Sequence, residues 1–220
     1  MRVAERGGAF AIVEIVDPVD PLLPELEKAF ADLLTGMEPH FREFLEGRLD
    51  GQGRVKAQLF CGSCQDRAAG LMQMCYRSWR DALVGNVDLL GVLEPYRSTN
   101  LGLSLMRHAI AATLSVSARY KLPVAGIVWL TEPDQGPLDS WADRRVRMFE
   151  RLGGQARRDL RYRYQGQRNP DGELIFWYPL AEAFFDVDTR SLARLLWQFG
   201  GLTAEEFARR HGDPEVGEGV

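Results

Sequence analysis

Metal-binding and redox side chains are scarce in this chain of 220 residues, which has three cysteines and three histidines. His40, His108 and His211 show no metal-ligand spacing, and a structural zinc site wants four ligands. Cys61 and Cys64 form a CxxC with only Cys75 left to join them. The pair falls between two strand-like segments, not at a helix N-terminus where redox dithiols sit, and so reads as a hairpin turn with no metal. No run approaches the ~18 to 20 apolar residues of a membrane span. Residues 1–8 have no apolar signal core, so a cytoplasmic protein without a membrane partner is expected. A Lys/Arg block interleaved with aromatics is also missing, and the net charge of -4 argues against a nucleic-acid partner. Arg144-Arg145-Val146-Arg147 reads as a solvated helix face. The Gly-Lys-Ser/Thr ending of a P-loop and the three-glycine dinucleotide fingerprint are both absent.

What is present centres on residues 85–108. Asn86 to Leu93 is an apolar strand, Pro95 breaks it, and a short polar loop follows with Arg97 and Gly102. The run Leu101-Gly102-Leu103-Ser104-Leu105-Met106-Arg107-His108 then opens a helix. The first-turn N–H groups of a helix lack intrahelical partners and carry partial positive charge. Strand, loop and helix N-terminus together make an anion site suited to a phosphate or pyrophosphate.

This unit resembles the acetyl-CoA pyrophosphate loop of the GCN5-related N-acetyltransferases, Arg/Gln-x-x-Gly-x-Gly/Ala after a strand ending in Val-x-Pro. Val92-Leu93-Glu94-Pro95-Tyr96-Arg97 matches the lead-in, and Arg97 and Gly102 stand at the first and last marked positions. Ser98 and Asn100 fall where Gly is usual; Asn is the best non-Gly residue at a left-handed position, and either can cap a helix. A second likeness is Met148-Phe149-Glu150-Arg151-Leu152-Gly153-Gly154, close to the family's Phe-Tyr-Glu-Lys/Arg-Leu-Gly-Phe. There Phe149 replaces the Tyr that often protonates the departing thiolate, and Ala142 stands near the place of a frequent Asn. The resemblance implies that Leu90, Val92, Arg97, Ser98, Thr99, Asn100, Leu101, Gly102 and Leu103 bind acetyl-CoA or another acyl-CoA.

The order of elements agrees with that family. Ala9 to Val16 reads as a strand, Pro24 to Leu34 as an amphipathic helix, and Phe41, Phe44 and Leu45 as one face of a second. Val55 to Phe60 and Ala69 to Tyr76 read as an antiparallel hairpin leading to the central strand. Val124 to Leu130 follows the helix, Asp139 to Leu152 is a further helix, and Arg158 to Tyr164 pairs with Glu173 to Tyr178 across the turn Asn169-Pro170-Asp171-Gly172. The expected fold is α/β (α+β), a mixed central sheet of about six or seven strands flanked by helices. The domain should span residues 1–180, with a helical extension and tail over 181–220. That extension could cover the acceptor pocket, pack on the sheet or make a homodimer contact.

Strand alternation places Asn86, Asp88, Leu90 and Val92 on one face. The resemblance makes Asp88 a candidate base, with Asn86 where some members carry a Glu, and the backbone of Val92 the group that polarises the thioester carbonyl. The plainer reading of Asp88 is a carboxylate that binds a cationic substrate or pairs with an Arg. Tyr162 or Tyr164 could supply a proton from the neighbouring hairpin. Three functions follow: acetyl transfer to a primary amine of a small molecule or peptide, transfer of a longer acyl chain, and a catalytically silent acyl-CoA-binding module.

Overall fold

The computed structural model describes residues 2–7, 10–33, 41, 54–131, 141–162 and 172–199. The strands are β1 (Arg2–Gly7), β2 (Phe10–Ile15), β3 (Arg54–Cys64), β4 (Arg67–Trp79), β5 (Ala82–Val92), β6 (Val124–Thr131), β7 (Gln155–Tyr162) and β8 (Glu173–Pro179). They form one sheet in the order β1-β2-β3-β4-β5-β6-β8-β7. All neighbours are antiparallel except β5 and β6, which are parallel because α2 (Leu101–Tyr120) carries the chain between them. The remaining helices are α1 (Leu23–Leu33), α3 (Trp141–Arg151) and α4 (Thr189–Phe199).

The sheet separates two cores. On one face α1 and α4 bury Leu23, Leu26, Phe30, Leu192, Leu195 and Trp197 against Leu59, Cys61, Leu71, Val84 and Trp177. On the other, α2 and α3 bury Leu101, Leu105, Ala109, Val146 and Phe149 against Phe60, Met72, Leu83, Val87, Trp129 and Phe176. Among the described helices α2 alone is long and apolar enough to cross a bilayer, against the expectation that no run approaches a membrane span. In the fold its apolar stripe lies on the sheet.

Three expectations are corrected. The sheet has an eighth strand, β1, paired with β2 from Arg2↔Glu14 to Gly7↔Phe10; its sequence Arg-Val-Ala-Glu-Arg-Gly has no apolar run to reveal it. The CxxC ends β3 and is not a turn, which is instead Gln65-Asp66 with both φ positive, at 51° and 60°. Cys61 and Cys64 therefore point to opposite faces, Cys61 into the first core and Cys64 against the second. Burial, with Glu25 and Asp20 nearby, pushes the Cys61 thiol up to about 12, the reverse of a redox thiolate. Third, the turn Arg80-Asp81, again with both φ positive, joins β4 directly to a β5 that starts at Ala82, earlier than expected.

The C-terminal segment packs on the sheet. Trp177 Nε1 donates to the Phe184 carbonyl at 2.8 Å, and the Arg80 guanidinium stacks 4.4 Å from the Trp79 ring centroid while donating to Ser191 Oγ at 3.1 Å. Thr189 Oγ1 donates to Asp159 on β7 at 2.7 Å. Phe41 is buried in the first core. Phe44, Leu45, Asn169, Pro170 and Asp171 lie outside the described residues, as does residue range 200–220.

Candidate active site

β5 and β6 pair from Leu83↔Val124 to Val87↔Trp129 and no further, although β5 runs on to Val92 and β6 to Thr131. The strands fork. On its other side β5 stays bonded to β4 through Val92↔Gly70, and the Leu93 N–H donates to the Ala69 carbonyl at 3.0 Å. Antiparallel bonding alternates, so with Leu93 facing β4 the N–H and C=O groups of Val92 and Leu90 face the edge that β6 has left. That edge is where an extended ligand bearing amides can pair.

At the fork β5 carries one residue more than β4. Gln73 pairs with Leu89 and Met74 with Val87, leaving Asp88 as a β-bulge. The bulge resets the alternation, which corrects the expectation that Asn86, Asp88, Leu90 and Val92 share a face. Asn86 lies between Cys75 and Val128, both of the first core, and is buried below the fork. Leu90 and Val92 pack against the second core with α2. Asp88 is exposed at the fork, and its Oδ2 accepts a hydrogen bond from Gln73 Nε2 at 2.8 Å. Reading β5 alone could not find Gln73, because the contact depends on the register between two strands.

The loop after β5 makes a single 3₁₀ turn, Glu94–Tyr96, with Pro95 at its start. Ser98 and Asn100 both adopt left-handed backbone, at φ 69° and 65°. These are the positions where the resembled loop has glycine, and the conformation is kept at some strain. Asn100 precedes α2, yet its side chain makes no cap hydrogen bond. The Thr99 hydroxyl donates instead to the Tyr96 carbonyl. Helical bonding of α2 begins with Ser104 N–H to the Asn100 carbonyl at 2.9 Å, so the N–H groups of Leu101, Gly102 and Leu103 belong to the open first turn. Arg97 is exposed, and its Nε donates to the Val92 carbonyl at 3.3 Å, tying the loop to the strand end.

Two glycine features shape the loop. Among the described residues a Cβ on Gly102 would meet Val92 Cγ2 at 3.6 Å and Met148 Sδ at 3.9 Å, which is ordinary contact. Neither φ nor packing demands glycine there, so the missing side chain leaves room for a group from outside to approach the first-turn N–H groups. Leu101, in contrast, turns inward. Gly62 and Gly70 are cross-strand partners, and Leu101 fills the space above them. Its contribution to a cofactor site is backbone only.

Phe149 is sealed in the second core, 5.1 Å from the Trp129 ring and 5.3 Å from Phe176. Its ring has no acidic proton to donate. Tyr162 is buried in the first core, and Tyr164 lies outside the described residues. Tyr76 is also buried; burial raises its pKa, and its hydroxyl donates to Gln58, which donates in turn to Glu14.

A strand fork, a bulge beside it and a left-handed loop opening on a helix N-terminus identify the architecture. The fold is that of the GCN5-related N-acetyltransferases. An acetyltransferase of the GNAT family from Bacteroides thetaiotaomicron is 15% identical, with a TM-score of 0.55 over 87% of this chain and 99% of that one. A GNAT family acetyltransferase from Elizabethkingia anophelis with acetyl-CoA bound is 10% identical, with a TM-score of 0.53 over 78% and 97%. Arabidopsis thaliana Naa50 in complex with the bisubstrate analogue CoA-Ac-MVNAL is 12% identical, with a TM-score of 0.53 over 77% and 97%. No family model and no curated protein matches the sequence. At these identities the likeness is one of GNAT fold, and the chemistry rests on the residues of this chain.

Proposed function

We propose that this chain is an acyl-CoA-dependent N-acyltransferase that moves an acetyl group from acetyl-CoA to a primary amine of a small molecule or peptide. The observation that carries this reading is the unpaired edge at Leu90 and Val92 leading straight to the Ser98 to Leu103 loop. In this reading the first-turn N–H groups at Leu101, Gly102 and Leu103 and the Arg97 guanidinium hold the pyrophosphate. The Leu90 N–H and C=O groups and the Val92 N–H, on the edge β6 leaves, take the pantetheine amides. Bound there, acetyl-CoA supplies an activated thioester carbonyl.

The chain's own work is to polarise that carbonyl and to deprotonate the acceptor. A lysine-like amine with a pKa of about 10.4 is neutral roughly one time in a thousand at pH 7. In this reading Asp88 accepts the ammonium proton, which its exposure at the fork supports. The neutral nitrogen attacks the carbonyl carbon, the C–S bond breaks with the electron pair leaving on sulfur, and the nitrogen's surplus proton passes to solvent, releasing amide and CoA thiolate. A thiol with a pKa of about 8.5 leaves as thiolate without help, so the buried Phe149 does not preclude turnover.

A second reading in this fold is a silent acyl-CoA-binding module, supported by Phe149 and by Ser98 and Asn100 in place of glycines. Longer acyl donors share the same loop and differ only in what lines the fork. Calorimetric titration with acetyl-CoA, octanoyl-CoA and free CoA, beside an Arg97→Glu/Gly102→Asp variant, tests the proposal. Binding that is lost in the variant supports the loop as the site. Failure of all three to bind wild type removes both readings.

A further inference from the structure

The polar side chain at the fork whose role remains open is Gln73. It sits on β4 between Leu71 and Cys75, both wholly buried in the first core. A half-buried amide at such a position costs free energy unless it is paired. Its carboxylate partner is one strand away. The extra residue in β5 brings the two together, because Gln73 pairs in register with Leu89, the residue after Asp88.

The choice of an amide has chemical content. An Arg or Lys at this position would hold Asp88 equally well but would lower its proton affinity by opposing its charge. A glutamine orients the carboxylate through one oxygen and adds no opposing charge of its own. We propose that Gln73 is the positioning residue for Asp88, fixing it at the fork to take the proton of a cationic acceptor amine. This rests on the acyltransferase reading above.

Two small acceptor probes separate positioning from mere support of the fold. n-Butylamine is cationic at neutral pH, as a lysine side chain is, whereas hydroxylamine is a weakly basic amine already neutral there. Only the first needs a base. Enzyme-dependent CoA release from acetyl-CoA, the enzyme-free rate being subtracted because hydroxylamine cleaves thioesters unaided, is followed with each probe for wild type, Gln73→Met, Gln73→Glu and Asp88→Asn, with acetyl-CoA affinity measured by calorimetry on the same samples. Gln73→Met should lower kcat with n-butylamine on the order of tenfold, while the hydroxylamine rate and acetyl-CoA affinity stay within about twofold. Asp88→Asn should lower the n-butylamine rate further, and Gln73→Met should add little in that background. Gln73→Glu, which is isosteric but repels the carboxylate, should behave like Gln73→Met. Equal losses with both probes, or no loss with n-butylamine, would overturn the role of Gln73. Acetyl-CoA binding without acceleration of n-butylamine in the wild type would overturn it too. Absence of acetyl-CoA binding would sink the acyltransferase reading itself, a distinct result.

Discussion

Leu101 begins the helix that follows the left-handed loop after β5, and its side chain rests on Gly62 of a strand two positions across the sheet from β5. The second core thus anchors the loop at its helix end, as Arg97 ties its other end to Val92. Burying a leucine of this kind is worth about 1.5 to 3 kcal/mol. The socket makes a ranked prediction. A methyl at Gly62 would come 2.9 Å from Leu101 Cδ1, which can rotate away, whereas at Gly70 it would meet the Gly91 carbonyl oxygen at 2.9 Å. Gly70→Ala should cost about 1 to 3 kcal/mol in urea denaturation and Gly62→Ala less. Gly62→Ala should cost less still in a Leu101→Ala background. Equal, additive costs would dismiss the socket.

Ser98 and Asn100 hold left-handed backbone without being glycine. Ser98→Gly is expected to raise stability by up to about 1 kcal/mol, offset in part by a more flexible unfolded chain. Asn100→Gly should gain less, since Asn tolerates this region, and Ser98→Val should lose stability. Thermal unfolding midpoints that move the other way for Ser98→Gly would contradict the strain.

Restoring tyrosine at Phe149 tests whether position in the sequence motif is enough. The ring is clamped between Trp129 and Phe176, so an added hydroxyl enters an apolar core. Phe149→Tyr should cost about 1 to 3 kcal/mol and leave the acyl-transfer rate no higher. A rate gain would show that the side chain reaches the fork.

Asp188 caps α4: its carboxylate accepts from the Ser191 N–H at 2.8 Å. The Ser191 hydroxyl and then its N–H hold this carboxyl below its ordinary range. The folded pKa is depressed, so the stabilisation is present above about pH 4 and fades as pH falls through the folded value. Asp188→Ala should therefore cost about 1 kcal/mol at pH 7, with the difference from wild type shrinking in strong acid. A pH-independent difference would assign the loss to something other than the charged cap.

How much of this was legible in the sequence follows from what is local. The Val92 to Gly102 run fixes strand end, Pro95 break, loop and helix start through residues within one turn of each other, and so could be read directly. Phe149 could be read as lacking an acid for the same reason. The bulge could not: Asp88 looks like one more alternating residue until β4 is laid beside β5 and one residue is left over. Gln73 was hidden with it. The CxxC misled because Gln65-Asp66 lacks the glycine that usually marks a two-residue hairpin turn. β1 stayed hidden because an edge strand of charged residues leaves no periodic trace.

The surplus residue at the fork also bears on how such a protein can change over generations. Removing a residue from a strand normally flips every later side chain to the wrong side. At position 88 it would not. With Asp88 absent, Leu89 still falls toward the first core and Leu90 and Val92 toward the second, because the bulge alone had broken the alternation. One in-frame codon deletion there would leave a well-packed sheet that has lost its carboxylate. On the acyltransferase reading, that one deletion would part the sheet from its chemistry in a single, structurally cheap step.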